Sequence, residues 1–308
     1  MSVVDDSAAI APTAPVLSSG SFRRLLRNPV VVAGAAILTI ILLMGLAAPW
    51  LGTMDPAAIN PAVRNKLPGF EEILRNADGS QTAIVHRMGT DTLGRDVYSR
   101  VIYGARASLL VGASVAVISV AIGLAIGLFA GYLRWLDGIV MRLMDGLMAI
   151  PAILLAIAVV SLSSAGLLAV IVAIVIPEIP RVVRLVRSVV LSVREEPYVE
   201  AAISVGTPTL PLIARHILPN TVPPLIVQAT YNAASAILIE AILSFLGVGI
   251  PPERPTWGNI MAEGRALFRV FPHNILFPGV FLAATVLAVN MLGDGLRDML
   301  DPRIRQRQ

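Results

Sequence analysis

The 308-residue chain contains no cysteine, which excludes disulfides and thiolate metal sites. It is poor in charge: Asp, Glu, Lys and Arg make up 14% of it, against roughly 25% in a soluble globular domain. His86, His216 and His273 lie far apart, and no His/Asp/Glu group has metal-ligand spacing. A Gly-x4-Gly-Lys-Ser/Thr loop is absent, so nothing in the sequence is built to cradle nucleotide phosphates. Gly-x-Ser-x-Gly is absent too, which leaves a hydrolase nucleophile without support. Energy for any active process must therefore come from a partner or an ion gradient. The net charge of +4 is modest and calls for no nucleic-acid partner.

Apolar sequence is abundant instead. Hydrophobic residues make up 56%, the mean hydropathy is +0.78, and apolar runs of about 20 residues recur. In lipid every backbone polar group needs an internal partner, and the alternating pattern of a barrel is missing. The expectation is an all-α membrane protein of about six transmembrane helices. The spans fall at Pro29–Leu51, Ala107–Tyr132, Leu143–Ser161, Leu167–Ile179, Pro223–Leu246 and Ile275–Leu296. The first is longer than a signal-peptide core of about 7–15 residues, so it reads as uncleaved. Arg181, Arg184, Arg187 and Arg194, just past the fourth span, put that side in the cytoplasm together with both termini. The division follows: a disordered cytoplasmic tail 1–22, an N-terminal span 23–51, an extracytoplasmic loop 52–105, a core of five spans 106–298 including a loop 195–220, and a cytoplasmic tail 299–308.

Details within the spans add expectations. Gly123, Gly127 and Gly131 are four apart and share a helix face, which suits close packing of another backbone. Arg142 and Asp145 can pair at i, i+3, and Pro151 bends the third span. Asp55-Pro56, Asn60-Pro61, Pro68-Gly69 and Asp78-Gly79 make the early 52–105 loop irregular or a small hairpin, set against the bilayer or a partner. Gln228, Asn232 and Ser235 form a polar stripe; such a face lines a translocation route or makes interhelical hydrogen bonds. Glu240 lies off that stripe as a second intramembrane candidate. Asn290, Asp294 and Asp298 form another stripe, with Arg297 placed to pair with Asp294.

The 195–220 loop is the long run of charge and turn residues between apolar blocks. Pro197 suits a helix's first turn, with Glu195 and Glu196 beside its positive end. Glu200, Ala201 and Ala202 continue that helix, Gly206 ends it, and Thr207-Pro208 force a turn. A second short helix over Leu210–Leu218 is expected to stop before Pro219-Asn220. Two short helices at an angle make a knob suited to a groove on another protein.

Glu200-Ala201-Ala202, then Gly206, then His216-Ile217-Leu218-Pro219 nine residues on, resembles the coupling loop of ABC importer permeases. His216 departs from the general pattern, which has Ile there, and follows the peptide-importer branch. Gly89-Thr90-Asp91, Gly94-Arg95-Asp96 and Tyr103-Gly104-Ala105-Arg106 resemble the segment entering the core of the C-type permease of oligopeptide, dipeptide and nickel importers. Pro255-Thr256-Trp257-Gly258 and the run from Leu292 to Asp298 extend the likeness over about residues 25–305. For the 86–112 segment two readings stand: an organiser of the external mouth, or an interfacial helix whose Arg and Asp pair with one another and with headgroups.

The resemblance implies a type I ABC importer permease in a bacterial inner membrane. It implies a second permease, two cytoplasmic ATPases, an extracytoplasmic substrate-binding protein and membrane lipids as partners. ATP and Mg would be bound by the ATPases, with no cofactor and no catalytic residue in this chain. Glu200, Ala201, Ala202, Gly206, His216, Leu218 and Pro219 would couple to an ATPase, and Gln228, Asn232, Ser235 and Glu240 would belong to the path. Di- and oligopeptides are the favoured cargo; nickel chelates, opines and glutathione are carried by relatives with similar permeases. The rivals are an ion-coupled secondary transporter using Glu240 or Asp294, and a membrane scaffold with no path.

Overall fold

The computed structural model describes residues 28–75, 81–163 and 166–300. The expected tail 1–22, the Asp78-Gly79 turn and all but the start of the tail 299–308 lie outside the described residues.

Helix α1, Pro29–Leu46, starts where the Asn28 side chain accepts the Val30 N–H at 3.0 Å. Its first residue is proline, whose missing N–H costs nothing in a first turn. It stops five residues short of the expected Leu51, because the chain tightens into a 3-10 turn at Ala48–Trp50. An antiparallel hairpin follows, β1 Phe70–Arg75 with β2 Gln81–His86, Phe70 facing His86 and Ile73 facing Ala83. The loop thus contains the small hairpin its turn residues suggested.

Helix α2, Val97–Tyr132, is 36 residues long. Asp96 caps it, accepting the Ser99 N–H at 2.7 Å, and its other oxygen meets His86 Nδ1 at 3.0 Å. The helix is about 54 Å long against a hydrocarbon core of about 30 Å. Residues 97–105, assigned above to the loop, are therefore an extension of the span helix.

The third span departs most from a straight rod. α3, Arg134–Ala149, and α4, Ala152–Ser161, meet at 89°. A residue before proline is pushed out of helical geometry, and Ile150 is extended at ψ 128°. Helix α5 then runs Leu167–Arg194, well beyond the expected Ile179, straight through Pro177 and Pro180. Its arginines lie within the helix, not in a loop beyond it. Arg184 pairs with Asp145 at 2.6 Å, and Arg187 Nη donates to Asp137 at 2.7 Å. Asp145 therefore pairs across to α5, not with Arg142 along its own helix.

Short helices α6, Pro197–Ser204, and α7, Thr209–Leu212, lead through a π-helical turn at Ile213–Ile217 into α8, Leu218–Phe245. After α9, Trp257–Gly264, helix α10 spans His273–Leu300. Among the described residues, four continuous helical stretches are long and apolar enough to cross a membrane: 29–46, 97–132, 209–245 and 273–300. The bent α3–α4 pair makes a fifth, and α5 is the remaining long helix, too charged in its second half to count as apolar.

α2 and α5 form the centre. A Cβ added at Gly123, Gly127 or Gly131 would come within 2.5, 2.7 and 2.8 Å of the Cβ atoms of Val182, Val186 and Val190. All three valines are fully buried. The glycine stripe is a helix-packing seam.

Candidate functional site

The knob at 197–220 is held from inside and open outside. On α6, Val199 is fully buried and Tyr198 and Ala202 pack with it against Val193, Leu212, Ile213 and Ile217. Glu200, Ala201 and Ser204 fall on the opposite, exposed face, as the helical period requires, and Ile203, one turn after Val199, is 47% exposed where the helix runs out past the core. Val205 is 82% exposed and Leu210 66%, so the tip presents apolar side chains left uncovered by the described residues. Gly206 has φ +83°, the left-handed conformation that ends α6, and open space where a Cβ would stand.

The far end of the knob differs from expectation. No break precedes Pro219; the chain passes directly into α8. Proline lacks an N–H and its ring crowds the preceding turn, and the wider π turn at Ile213–Ile217 makes room for it. His216, Leu218 and Pro219 therefore belong to one rigid passage from knob to span. Asn220 Nδ2 donates to the His216 carbonyl at 2.7 Å and to the Tyr198 hydroxyl at 3.1 Å, tying α6 to the start of α8. Burial pushes the Tyr198 hydroxyl above its ordinary pKa, so it stays neutral in that role. Beside the knob, a cavity of about 650 Å³ is lined by Arg134, Asp137, Arg194, Glu195 and Glu200.

A second polar site lies within the helices. Asn232 is buried against Ser119 Oγ at 2.9 Å and the Gln228 amide at 2.7 Å. Ser235 Oγ donates to Glu178 Oε1 at 3.1 Å, and Arg181 reaches both Glu178 oxygens at 2.9 and 3.2 Å. With its amide turned so that nitrogen faces Glu178, Asn232 donates to Oε2 at 3.3 Å and accepts from Ser119 at 2.9 Å. The stripe Gln228, Asn232 and Ser235 is thus joined to Glu178 on α5, which sequence reasoning missed. An acidic residue between two prolines in an otherwise apolar run was the available signal.

Glu240 stands apart from this cluster. It is fully buried near α9, with Ser244 Oγ donating to Oε1 at 2.8 Å and Ser108 and Thr256 alongside. Asp294 accepts the Tyr231 hydroxyl at 2.6 Å, replacing the expected Arg297 pair. Arg297 instead lines a cavity of about 460 Å³ with Gln228, Tyr231, Pro223 and Pro224.

The segment 89–106 packs on its own chain. Arg95 Nε donates to Asp91 at 2.7 Å and Arg95 also pairs with Glu263 of α9; Arg100 reaches Glu263 at 3.2 Å. Arg95 and Arg100 are buried, so of the interfacial reading the pairing of Arg with Asp holds at these two positions, while their guanidinium groups are out of reach of headgroups. Trp257 Nε1 donates to the Val101 carbonyl at 3.1 Å, locking α9 onto α2.

Residues 123–306 match the family described as the inner membrane component of binding-protein-dependent transport systems, and residues 17–68 match the N-terminal transmembrane domain of oligopeptide transport permease C. A Sinorhizobium fredii protein described as a "probable peptide ABC transporter permease" is 52% identical over 92% of both chains. The dipeptide transport system permease DppC of Alkalihalophilus pseudofirmus is 40% identical over 92% of this chain and 90% of its own. The glutathione transport system permease GsiD of Pectobacterium atrosepticum is 37% identical over 96% and 97%. The chain belongs to the binding-protein-dependent inner-membrane permeases, the membrane-spanning subunits of ABC importers.

Proposed function

We propose that the chain forms half of the translocation path of an ATP-driven importer of di- and oligopeptides. Its partners are a second permease, two cytoplasmic ATPases that bind ATP and Mg, and an extracytoplasmic substrate-binding protein. The knob, both termini and the exposed edge of α6 face the cytoplasm in this reading. The observation that carries it is the knob: a short helix with an uncovered polar and apolar tip, fastened through Asn220 and the π turn to the base of α8. Force applied at Glu200, Ala201 and Ile203 passes into α8, where Gln228, Asn232 and Ser235 meet Glu178. Peptide cargo is supported by the descriptions of the relatives; glutathione, itself a peptide, is the neighbouring alternative.

Uptake into vesicles carrying the full assembly and supplied with its binding protein tests this reading. Accumulation of labelled peptides that needs ATP and survives an uncoupler is expected. Uptake without ATP that collapses with the uncoupler would replace this reading by an ion-coupled one centred on Glu240 or Asp294.

Gly206 gives a finer test. A β-branched side chain at φ +83° costs about 1–2 kcal/mol through the backbone, whereas Asn tolerates that conformation. Gly206→Val is expected to lose most ATP-dependent uptake at normal membrane abundance, and Gly206→Asn to retain most of it. Equal uptake by both variants and the wild type would remove Gly206 from the coupling machinery.

A further inference from the structure

An apolar groove of about 670 Å³ runs between α1 and α2, walled by Leu38, Leu42, Leu46, Leu109, Leu110 and Ala113, with Arg106 at one end. Nothing in the transport cycle described above uses it. Its position relative to the bilayer follows from the sequence. The run Ala107–Tyr132 carries no charge, so Arg106 is the last charged residue before α2 enters hydrocarbon. Trp50, largely exposed, and Tyr103 belong to the segments flanking this level, where amphipathic aromatic rings collect at headgroup depth.

Arg106 is fixed in place but not used up. Its Nε donates to the Gly45 carbonyl at 2.6 Å and one Nη to the Leu46 carbonyl at 3.0 Å. Both acceptors belong to the last turn of α1, which has no helical donors of its own to offer them. The guanidinium lies 4.9 Å from the centre of the Tyr103 ring. Its remaining N–H groups have no partner among the described residues, and the side chain is exposed. A preoriented cation therefore stands at the mouth of a slot whose walls are leucine and alanine.

We propose that this groove is a phospholipid site, with one acyl chain lying along Leu38, Leu42 and Leu110 and the headgroup phosphate on Arg106. A phosphodiester is the ligand that joins an anion at the interface to a long apolar tail, and guanidinium groups suit its paired oxygens. A transmembrane helix of another subunit fits less well. Helix contacts in lipid favour small and polar residues, and this groove is walled mainly by leucine. The inference rests on the chain spanning a membrane and is independent of the cargo. It also gives Tyr103 and Arg106 a role that packing alone does not.

Mass spectrometry of the assembled transporter, purified in mild detergent from vesicles of phosphatidylglycerol and phosphatidylethanolamine, tests the site. Wild type is expected to retain phospholipid after exhaustive washing. Ala113→Phe and Leu42→Trp fill the groove without touching the cation, and each should cut retention about tenfold. Arg106→Gln should cut it by a similar factor, about one charge-assisted hydrogen bond. Unchanged retention in all three overturns the proposal. Loss with Arg106→Gln alone overturns it too, because phosphate would then be held without an acyl site. Should the filled variants fail to assemble, a phospholipid bearing a photoreactive group on its acyl chain is applied to the wild type. Crosslinks to peptides containing 38–46 and 106–113 support the site, and their absence there overturns it. Leu110→Cys, unique in a chain without cysteine, crosslinking to the second permease would show protein covering the groove and would likewise overturn it.

Discussion

Gly127→Leu is expected to reduce the yield of folded chain in the membrane by more than tenfold, while Gly138→Leu leaves it near wild type. A Cβ at 127 would lie 2.7 Å from Val186 Cβ, 2.9 Å from its Cγ1 and 3.0 Å from the Val183 carbonyl. Leucine adds three more carbons in the same direction. Gly138 on α3 has no atom within 4 Å of the added position, so it separates crowding from a general effect of leucine.

Local relief at 127 is blocked, because Gly123 and Gly131 make the same approach to Val182 and Val190 on either side. Both helices would have to move apart along the whole seam. Overpacking costs about 1–3 kcal/mol and sometimes more. In lipid no hydrophobic force pushes helices together, so lost van der Waals contact removes most of what joins α2 to α5. Gly127→Ala should fall in between, and Val186→Ala introduced with it should recover most of the yield, since the second change removes the crowding atoms. A Gly127→Leu chain folding as well as wild type, or an equal loss with Gly138→Leu, would show that the seam does not hold the core together.

The seam illustrates what the residues reveal of themselves. Three glycines at a spacing of four announce a close approach, but not to what. Val182, Val186 and Val190 are hidden as partners because they share α5 with Arg181, Arg184 and Arg187, which read as the end of a span. Those charges are tolerated in a continuing helix because Glu178, Asp145 and Asp137 meet them, and pairings across 39 or 50 residues leave no local trace. The same misreading hid Glu178, since a helix ended at Ile179 gives that carboxylate no reason to be central. The knob was legible up to Gly206, because proline, the acidic first turn and glycine act through local backbone geometry. Its end was not, since a π turn absorbs Pro219 through a change in winding that residue identity does not specify. Likewise Pro151 signals a bend, while the 89° angle is set by what α3 and α4 pack against.

Long-range pairing also underlies the second large expected effect, loss of Glu263. Asp91, Arg95, Arg100 and Glu263 form a cluster that is neutral as a whole, with Arg100 fully buried and Arg95 4% exposed. Burial pushes the Glu263 carboxyl above its ordinary pKa, and Arg100 and Arg95 pull it back. Removing it by Glu263→Ala leaves two buried guanidinium groups sharing one carboxylate, and breaking such a pair costs about 3–5 kcal/mol. The thermal midpoint of the purified chain should fall by about 10 °C or more. The stabilisation lies in neutrality, not in the pair as such. Arg100→Met combined with Glu263→Leu keeps the Arg95–Asp91 pair at 2.7 Å and replaces the second pair with apolar atoms of similar reach. That double variant should recover most of the midpoint lost in Glu263→Ala. If it is as unstable as the single losses added together, the cluster works through specific hydrogen bonds of Arg100, such as the 3.4 Å contact to Asn259, and charge balance is not its purpose. If the double variant is stable but uptake fails, the cluster's contribution is the registry of α9 against α2, the contact that Trp257 closes from the other side.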